Sequence, residues 1–313
     1  MSDEWTPDEM ASQAGRTVVV TGANSGIGFE ATKAFADAGA HVVMACRSTD
    51  RGEDARAAVE DAVAGASLTV RELDLADLDS VRAFADWYRS SFDALHVLCN
   101  NAGVMAIPRS ETVQGFETQF GVNHLGHFAL TARLLPVLRR TTGESRVVTQ
   151  SSGVHRRGRI DFDDLQSEGD YDPWDAYGQS KLANVLFGYE LDRRLRAASA
   201  SVRSVVTHPG YAATNLQYRG PEQSGSRLRL LAMKAANVLV AQSAERGAWP
   251  LLYAATAPDI DGGEYVGPGG LANMRGHPTV QASSSRSRDR DVARRLWSVS
   301  EDLTGASFDL PDA

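Results

Sequence analysis

Short runs of β-branched and apolar residues alternate with helix-length amphipathic segments from about residue 16 onward, and no other feature limits the possible folds as tightly. Arg16–Thr21, His41–Cys46, Leu68–Leu73, Leu95–Cys99, Ser145–Gln150 and Val202–Thr207 read as strands. Ile27–Ala38, Asp50–Ala64, Ser80–Ser90, Glu111–Arg140, Trp174–Ala198 and Ser243–Ala255 read as helices. Strands that are apolar along their whole length are buried on both faces, which implies a parallel sheet covered by helices on both sides. Right-handed crossovers then make a doubly wound, Rossmann-type α/β sheet, whose ligand lies beyond the carboxyl ends of the strands. No linker breaks the rhythm, so residues 15–313 are expected to form one domain after a polar extension, 1–14. Two segments stand outside the repeat, 156–173 and 217–242. Irregular segments at the ligand-facing edge commonly shape a substrate pocket, and 217–242 is assigned that role.

The first strand runs into Thr21-Gly22-Ala23-Asn24-Ser25-Gly26-Ile27-Gly28 and then a helix. Glycines there let the backbone turn sharply and approach a pyrophosphate, while the helix start supplies amides and a favourable dipole. Gly22, Asn24, Ser25, Gly26, Ile27 and Gly28 are therefore candidate dinucleotide-binding residues. In dinucleotide folds of this kind, an acid about 20 residues past the turn binds the ribose 2′-hydroxyl of NAD. Here the second strand ends Ala45-Cys46-Arg47-Ser48. A guanidinium suits a 2′-phosphate through bidentate charge-assisted bonds, so NADP(H) is favoured over NAD(H). The next acid, Asp50, reads as a helix N-cap.

The Gly-x3-Gly-x-Gly spacing, together with later motifs, resembles the short-chain dehydrogenase/reductase family. Those motifs are Asp74-Leu75 after the third strand, Asn100-Asn101-Ala102-Gly103 after the fourth, and Asn123 within a helix. They continue with Ser151-Ser152 at the end of the fifth strand, Tyr177-x-x-x-Lys181, and Pro209-Gly210 after the sixth. The resemblance spans roughly residues 15 to 270 and implies further cofactor contacts from Asp74, Leu75, Asn101, Ala102, Gly103, Tyr177, Lys181, Pro209, Gly210 and Thr214. It also implies a catalytic set of Tyr177, Lys181, Ser152 and Asn123. Tyr177 would be the proton-transfer residue, and Ser152, rather than Ser151, would hydrogen-bond the substrate oxygen. Asn123 would hold a water that relays protons to Lys181.

The chemistry of these residue types suits that reading. Tyr177 and Lys181 are four apart on a helix and share a face. A free tyrosine titrates near pH 10, too high for a base at neutral pH, and a neighbouring ammonium together with the positive nicotinamide of the oxidised cofactor favours the phenolate. A serine hydroxyl aimed at the reacting oxygen stabilises charge that develops there.

The strings Ala45-Cys46-Arg47, Val122-Asn123-His124-Leu125-Gly126-His127-Phe128, Ser180-Lys181-Leu182-Ala183-Asn184 and His208-Pro209-Gly210 resemble the retinol dehydrogenase-like branch of that family. The resemblance implies hydride transfer between the nicotinamide and the alcohol or carbonyl group of a small lipophilic substrate. A same-fold isomerase, epimerase or lyase that uses the bound cofactor differently, and a non-catalytic dinucleotide sensor, are the alternatives. The resemblance further implies a homodimer or homotetramer paired through the Glu111–Arg140 and Trp174–Ala198 helices.

Composition excludes other classes. The net charge of −8 leaves no basic stripe for a nucleic acid partner. The polar, acidic start lacks a signal-peptide pattern, and no run approaches the roughly 18 apolar residues that span a bilayer. The 14-residue segment Leu228–Ala241 carries Arg229 and Lys234. Cys46 and Cys99, each in an apolar run, are expected to be inert buried thiols in a reducing cytoplasm. Only three lysines occur, Lys33, Lys181 and Lys234, so Lys181 stands out in a chain that otherwise uses arginine. His124 and His127, three apart, lack a third ligand and read as packing or surface residues. His155 could border the substrate or be an ordinary loop residue.

Overall fold

A computed structural model of the chain describes residues 4–211 and 242–313. Thr214 and all of the 217–242 segment except Gln242 lie outside the described residues.

The chain alternates strand and helix as β1 Thr17–Thr21, α1 Gly26–Asp37, β2 His41–Cys46, α2 Thr49–Ala62, β3 Ser67–Glu72, α3 Leu78–Ser91 and β4 Val97–Asn100. It continues through α4 Thr118–Phe120, a π-helical turn Gly121–Leu125, α5 Gly126–Arg140, β5 Ser145–Gln150, α6 Pro173–Ala197 and β6 Val202–Thr207. The last elements are α7 Ala244–Thr256, β7 Tyr265–Pro268, β8 Pro278–Val280 and α8 Arg290–Thr304. Among the described residues the strands form one eight-stranded sheet in the order β3-β2-β1-β4-β5-β6-β7-β8. Every pairing is parallel except β7 with β8.

Strand side chains alternate between two cores. Val19 faces a cluster with Phe84, Tyr88, Phe128 and Phe187, from α3, α5 and α6. Val18 and Val20 face the opposite cluster with Phe35, Leu251 and Leu252, from α1 and α7. This period of two is what a strand buried on both faces requires, and each fully buried valine contributes roughly 1.5–3 kcal/mol. The chain leaves β1 toward β2 on one side and reaches β4 on the other, so the strand order reverses between β1 and β4. A crevice opens at that point beyond the carboxyl ends of the two strands.

Three readings of the sequence need correction. The helix expected from Glu111 begins at Thr118. Residues 111–117 instead form a turn closed by an antiparallel Glu111–Glu117 bridge, with Gly115 at φ +81°. The Glu117 carboxylate accepts from the amides of Gln119 at 2.9 Å and Phe120 at 2.7 Å, which fixes the helix start. Ser48, not Asp50, caps α2, its hydroxyl accepting from the Arg51 amide. Finally, β7, β8 and α8 extend the fold past the elements recognised in the sequence. Helix α8 is capped by Asp289 and packs Leu296 and Trp297 against α6. Trp297 and Phe308 lie against Phe128 and Phe187, so this chain's own C-terminal residues cover part of the α5 and α6 faces that the resemblance assigns to subunit pairing.

His124 and His127 are both buried in this core. His124 Nε2 meets the Ser300 hydroxyl at 2.9 Å, and His127 Nδ1 donates to the Asn123 carbonyl at 3.0 Å. Burial lowers their pKa values to about 3 and about 4. The unfolded chain therefore takes up protons below about pH 6.5 that the fold does not, and stability present above that pH is lost as pH falls. The limiting slope is about 1.4 kcal/mol per pH unit for each histidine. The melting temperature should drop between about pH 7 and about pH 5.5, and drop less in His124→Phe. Identical pH slopes in the two proteins would show that His124 does not contribute.

Candidate active site

The turn after β1 is built to be close-packed. Gly22 and Gly26 adopt φ of +68° and +54°, in the left-handed region that favours glycine. A Cβ on Gly28 would lie 2.3 Å from the Gly22 carbonyl oxygen and 2.7 Å from Asn101 Nδ2. Thr21 ties this turn to the one after β4. Its hydroxyl accepts from the amides of Asn101 and Ala102, both at 2.9 Å, and its carbonyl accepts from Asn101 Nδ2 at 2.8 Å. The same hydroxyl meets His127 Nε2 at 2.9 Å. Thr21 is thus the joint between the two glycine-containing turns, a role that only the folded neighbourhood reveals.

One cavity of about 570 Å³ runs along the carboxyl ends of β1 to β6. Gly22, Asn24, Ser25, Gly26, Ile27 and Gly28 line it, as do Asp74, Leu75, Asn101, Ala102, Gly103, Pro209 and Gly210. Arg47 reaches it from the end of β2, and Arg51, one helical turn further on, lines it as well. Among the described residues neither guanidinium forms an ion pair within the chain. Sequence reasoning missed Arg51, although its spacing of four from Arg47 was a usable signal.

Tyr177, Lys181 and Ser152 open into the same cavity. Tyr177 and Lys181 project from one face of α6, with Nζ 5.7 Å from the phenol ring centre. Lys181 Nζ donates to the Gln150 carbonyl at 3.3 Å. The Ser152 hydroxyl accepts from the Val154 amide at 3.2 Å, and the Ser152 side chain favours the ionised form of the Tyr177 phenol. Ser151 is buried and donates to the Lys181 carbonyl at 2.7 Å, so its hydroxyl is occupied in holding α6 to β5. The two adjacent serines therefore differ in what their hydroxyls can reach.

Asn123 sits behind the cavity wall in the π-helical turn. Its Nδ2 donates to the Val104 carbonyl and to Ser180 Oγ, both at 2.9 Å, while its Oδ1 accepts from the Val104 amide at 2.8 Å. A Cβ on Gly103 would meet Asn123 Oδ1 at 2.8 Å and Lys181 Nζ at 3.5 Å, so these groups converge where only glycine fits.

Without the cofactor's positive charge, burial sets the electrostatics at Tyr177. Burial prevails, and Tyr177 is pushed up to about 12, with the neighbouring Ser152 side chain opposing the rise. Burial also lowers Lys181 to about 8. The pair is poised with the phenol protonated at neutral pH and the amine close to its titration point. Perturbation of both partners, in a cleft, marks a functional site.

The remaining wall was not assigned from sequence. Val104, Met105, Val154, Trp174 and Tyr211 also line the cavity and are mostly apolar. Trp174 is 40% exposed and meets the Tyr177 ring edge-on at 6.1 Å. His155, a candidate substrate neighbour, is buried behind Ser152 rather than lining the cavity. Among the described residues no cluster of His, Cys, Asp and Glu could hold a metal ion, and no helix is long and apolar enough to cross a membrane.

Comparison with known proteins agrees with this architecture. The family model for short chain dehydrogenases matches residues 16–224. The chain is 41% identical over 308 residues to mouse polyprenol dehydrogenase, covering 97% of this chain and 88% of that protein. It is 40% identical over 295 residues to human retinol dehydrogenase 11, covering 94% and 87%. Among solved structures, an uncharacterised protein from Mycobacterium paratuberculosis is 44% identical, with a TM-score of 0.81 over 98% of this chain and 100% of that one. A protein from Beutenbergia cavernae, described as an NAD(P) dependent gluconate 5-dehydrogenase and solved with NADP, is 26% identical. Its TM-score is 0.60 over 78% of this chain and 91% of that one.

Proposed function

The chain belongs to the short-chain dehydrogenase family, on its retinol dehydrogenase-like branch, and we propose that this oxidoreductase exchanges hydride between NADP(H) and an alcohol or carbonyl of a small lipophilic substrate. The observation that carries the proposal is the convergence of Tyr177, Ser152 and Lys181 on the cavity that also holds the glycine turn.

The residues fit a dinucleotide. The main-chain path through Gly22, Asn24, Ser25, Gly26, Ile27 and Gly28 leaves no room for a Cβ at Gly28 and presents the start of α1 to a pyrophosphate. Arg47 and Arg51 would hold a 2′-phosphate, and Asp74 and Leu75 would flank the adenine. Asn101, Ala102, Gly103, Pro209 and Gly210 would border the rest of the cofactor, joined by Thr214 from outside the described residues. When bound, the nicotinamide supplies or accepts the hydride.

The chain's own groups handle the oxygen and its proton. In reduction, the Tyr177 hydroxyl gives its proton to the carbonyl oxygen as negative charge develops there, and the Ser152 hydroxyl donates a hydrogen bond to the same oxygen. In oxidation the phenolate oxygen takes the proton back. Lys181, when charged, eases proton loss from the phenol, and its low titration point lets it exchange protons near neutral pH. Asn123 would hold a water that refills Lys181. The apolar wall from Val104 to Trp174 excludes water from the reacting oxygen and suits a lipophilic substrate.

NADP preference rests on charge. Arg47→Asp is expected to weaken NADPH binding by about 10–100-fold, the worth of one charge-assisted bond, while NADH binding holds or improves. Titration of each dinucleotide by fluorescence reads this directly, and unchanged NADPH affinity would remove Arg47 from the 2′-phosphate site. Free, buried Cys46 and Cys99 suit a reducing compartment such as the cytoplasm. Assaying a panel of alcohols and carbonyls with both dinucleotides tests the whole reading. Conversion of a substrate without net change in nicotinamide absorbance would replace it with an isomerase or epimerase.

A further inference from the structure

His155 is completely buried, three residues past Ser152, in a 3-10 turn that Ser152 itself begins. Its two ring nitrogens have unequal partners. The Ser284 main-chain amide points at Nε2 at 3.1 Å, and an amide can only donate, so Nε2 carries the lone pair. The ring proton is therefore on Nδ1, which lies 2.7 Å from the Ser152 carbonyl oxygen. That carbonyl also accepts from the His155 amide at 3.0 Å, so one side chain and one main-chain group hold it together.

The ring is in turn braced from β7. Tyr265 meets it edge-on at 5.2 Å, with its hydroxyl 3.2 Å from Nδ1. On its other side Tyr265 stacks on His208 at 5.2 Å, and His208 Nδ1 accepts from the Gly210 amide at 3.2 Å. Ser152 and Gly210 both line the cavity. The buried ring cluster thus stands directly behind two cavity walls, and Ser284, after β8, sets the tautomer that faces Ser152.

We propose that His155 is a positioning residue, whose Nδ1 proton holds the Ser152 main chain so that the Ser152 hydroxyl meets Tyr177 and the reacting oxygen. This rests on the function proposed above for Ser152. The ring never reaches the cavity, and it acts only through the carbonyl it restrains. A shift of about 1 Å in a group that supports a reaction can cost about 100-fold in rate, although the group itself remains.

Two conservative variants separate this role from simple packing. His155→Asn places an amide where Nδ1 stands and keeps the donor to Ser152. His155→Gln reaches the Nε2 position, keeps an acceptor for Ser284 and loses that donor. The expected result is that Asn retains kcat within about threefold of wild type, whereas Gln lowers kcat by about 10–100-fold with substrate KM and NADPH affinity little changed. Equal kcat in the two variants, or a Gln defect confined to KM or to melting temperature, would overturn the proposal. Crystal structures of the two variants give a readout independent of turnover. Ser152 should keep its place in the Asn variant and move in the Gln variant, and an unmoved Ser152 in the Gln variant would overturn it. If the wild-type protein itself turns over no alcohol or carbonyl, the proposed function fails, while the position of Ser152 still decides the role of His155.

Discussion

Tyr177→Phe is expected to lower turnover by about 10²–10⁴-fold while dinucleotide affinity stays close to wild type. The ring is buried and packs edge-on against Trp174, and phenylalanine keeps that packing. What disappears is one hydroxyl, which stays protonated to about pH 12 because burial penalises the phenolate. Without it, no other group placed at that end of the cavity has the same access to the substrate oxygen, and Ser152 can still donate a hydrogen bond but is a far weaker acid. The readout is kcat measured beside NADPH binding. Turnover within about threefold of wild type would remove Tyr177 from proton transfer, whatever else the cavity does.

Gly28→Val should abolish measurable dinucleotide binding and also destabilise the fold, by about 1–3 kcal/mol if the neighbours yield as overpacked cores do. The added Cβ would stand 2.3 Å from a main-chain oxygen, so the turn itself must move rather than a flexible side chain. That turn is fixed to the β4 turn by Thr21 and Asn101, so a shift at Gly28 spreads to Asn101, Ala102 and Gly103 across the cavity. Calorimetric titration with NADPH and a thermal melt separate the two effects. Wild-type affinity in a folded Gly28→Val protein would show that the pyrophosphate does not sit on this turn.

Much of the fold and site was legible because the responsible signals are local. Val18, Val19 and Val20 declare a buried strand on their own, and the glycines that follow declare the turn. Tyr177 and Lys181 share a face by helical spacing alone. Part of what escaped depends on contacts distant in sequence, and part on local contacts that carry no periodic signal. The segment 111–117 carries apolar spacing that mimics a helix, and the Glu117 carboxylate that starts the real helix is visible only through the amides it accepts. Strands β7 and β8 are four and three residues long, too short to show alternation. Helix α8 carries its buried stripe of Ala293, Leu296, Trp297 and Ser300 at helical spacing, a local signal like those of the earlier helices. The upward shift at Tyr177 was not legible for a different reason. Helical spacing shows that an ammonium is near, but not the desolvation that burial in the folded chain imposes on both groups. His155 belongs with these, since its partners Ser284 and Tyr265 lie more than one hundred residues away.

The most direct test of the central claim follows NADPH absorbance as wild-type protein and Tyr177→Phe are each mixed with a panel of apolar aldehydes and ketones. The wild-type protein is expected to consume NADPH with an alcohol formed in equal amount, and Tyr177→Phe to bind NADPH yet consume almost none. A wild-type protein that binds neither NADPH nor NADH would contradict it, as would equal consumption by both proteins.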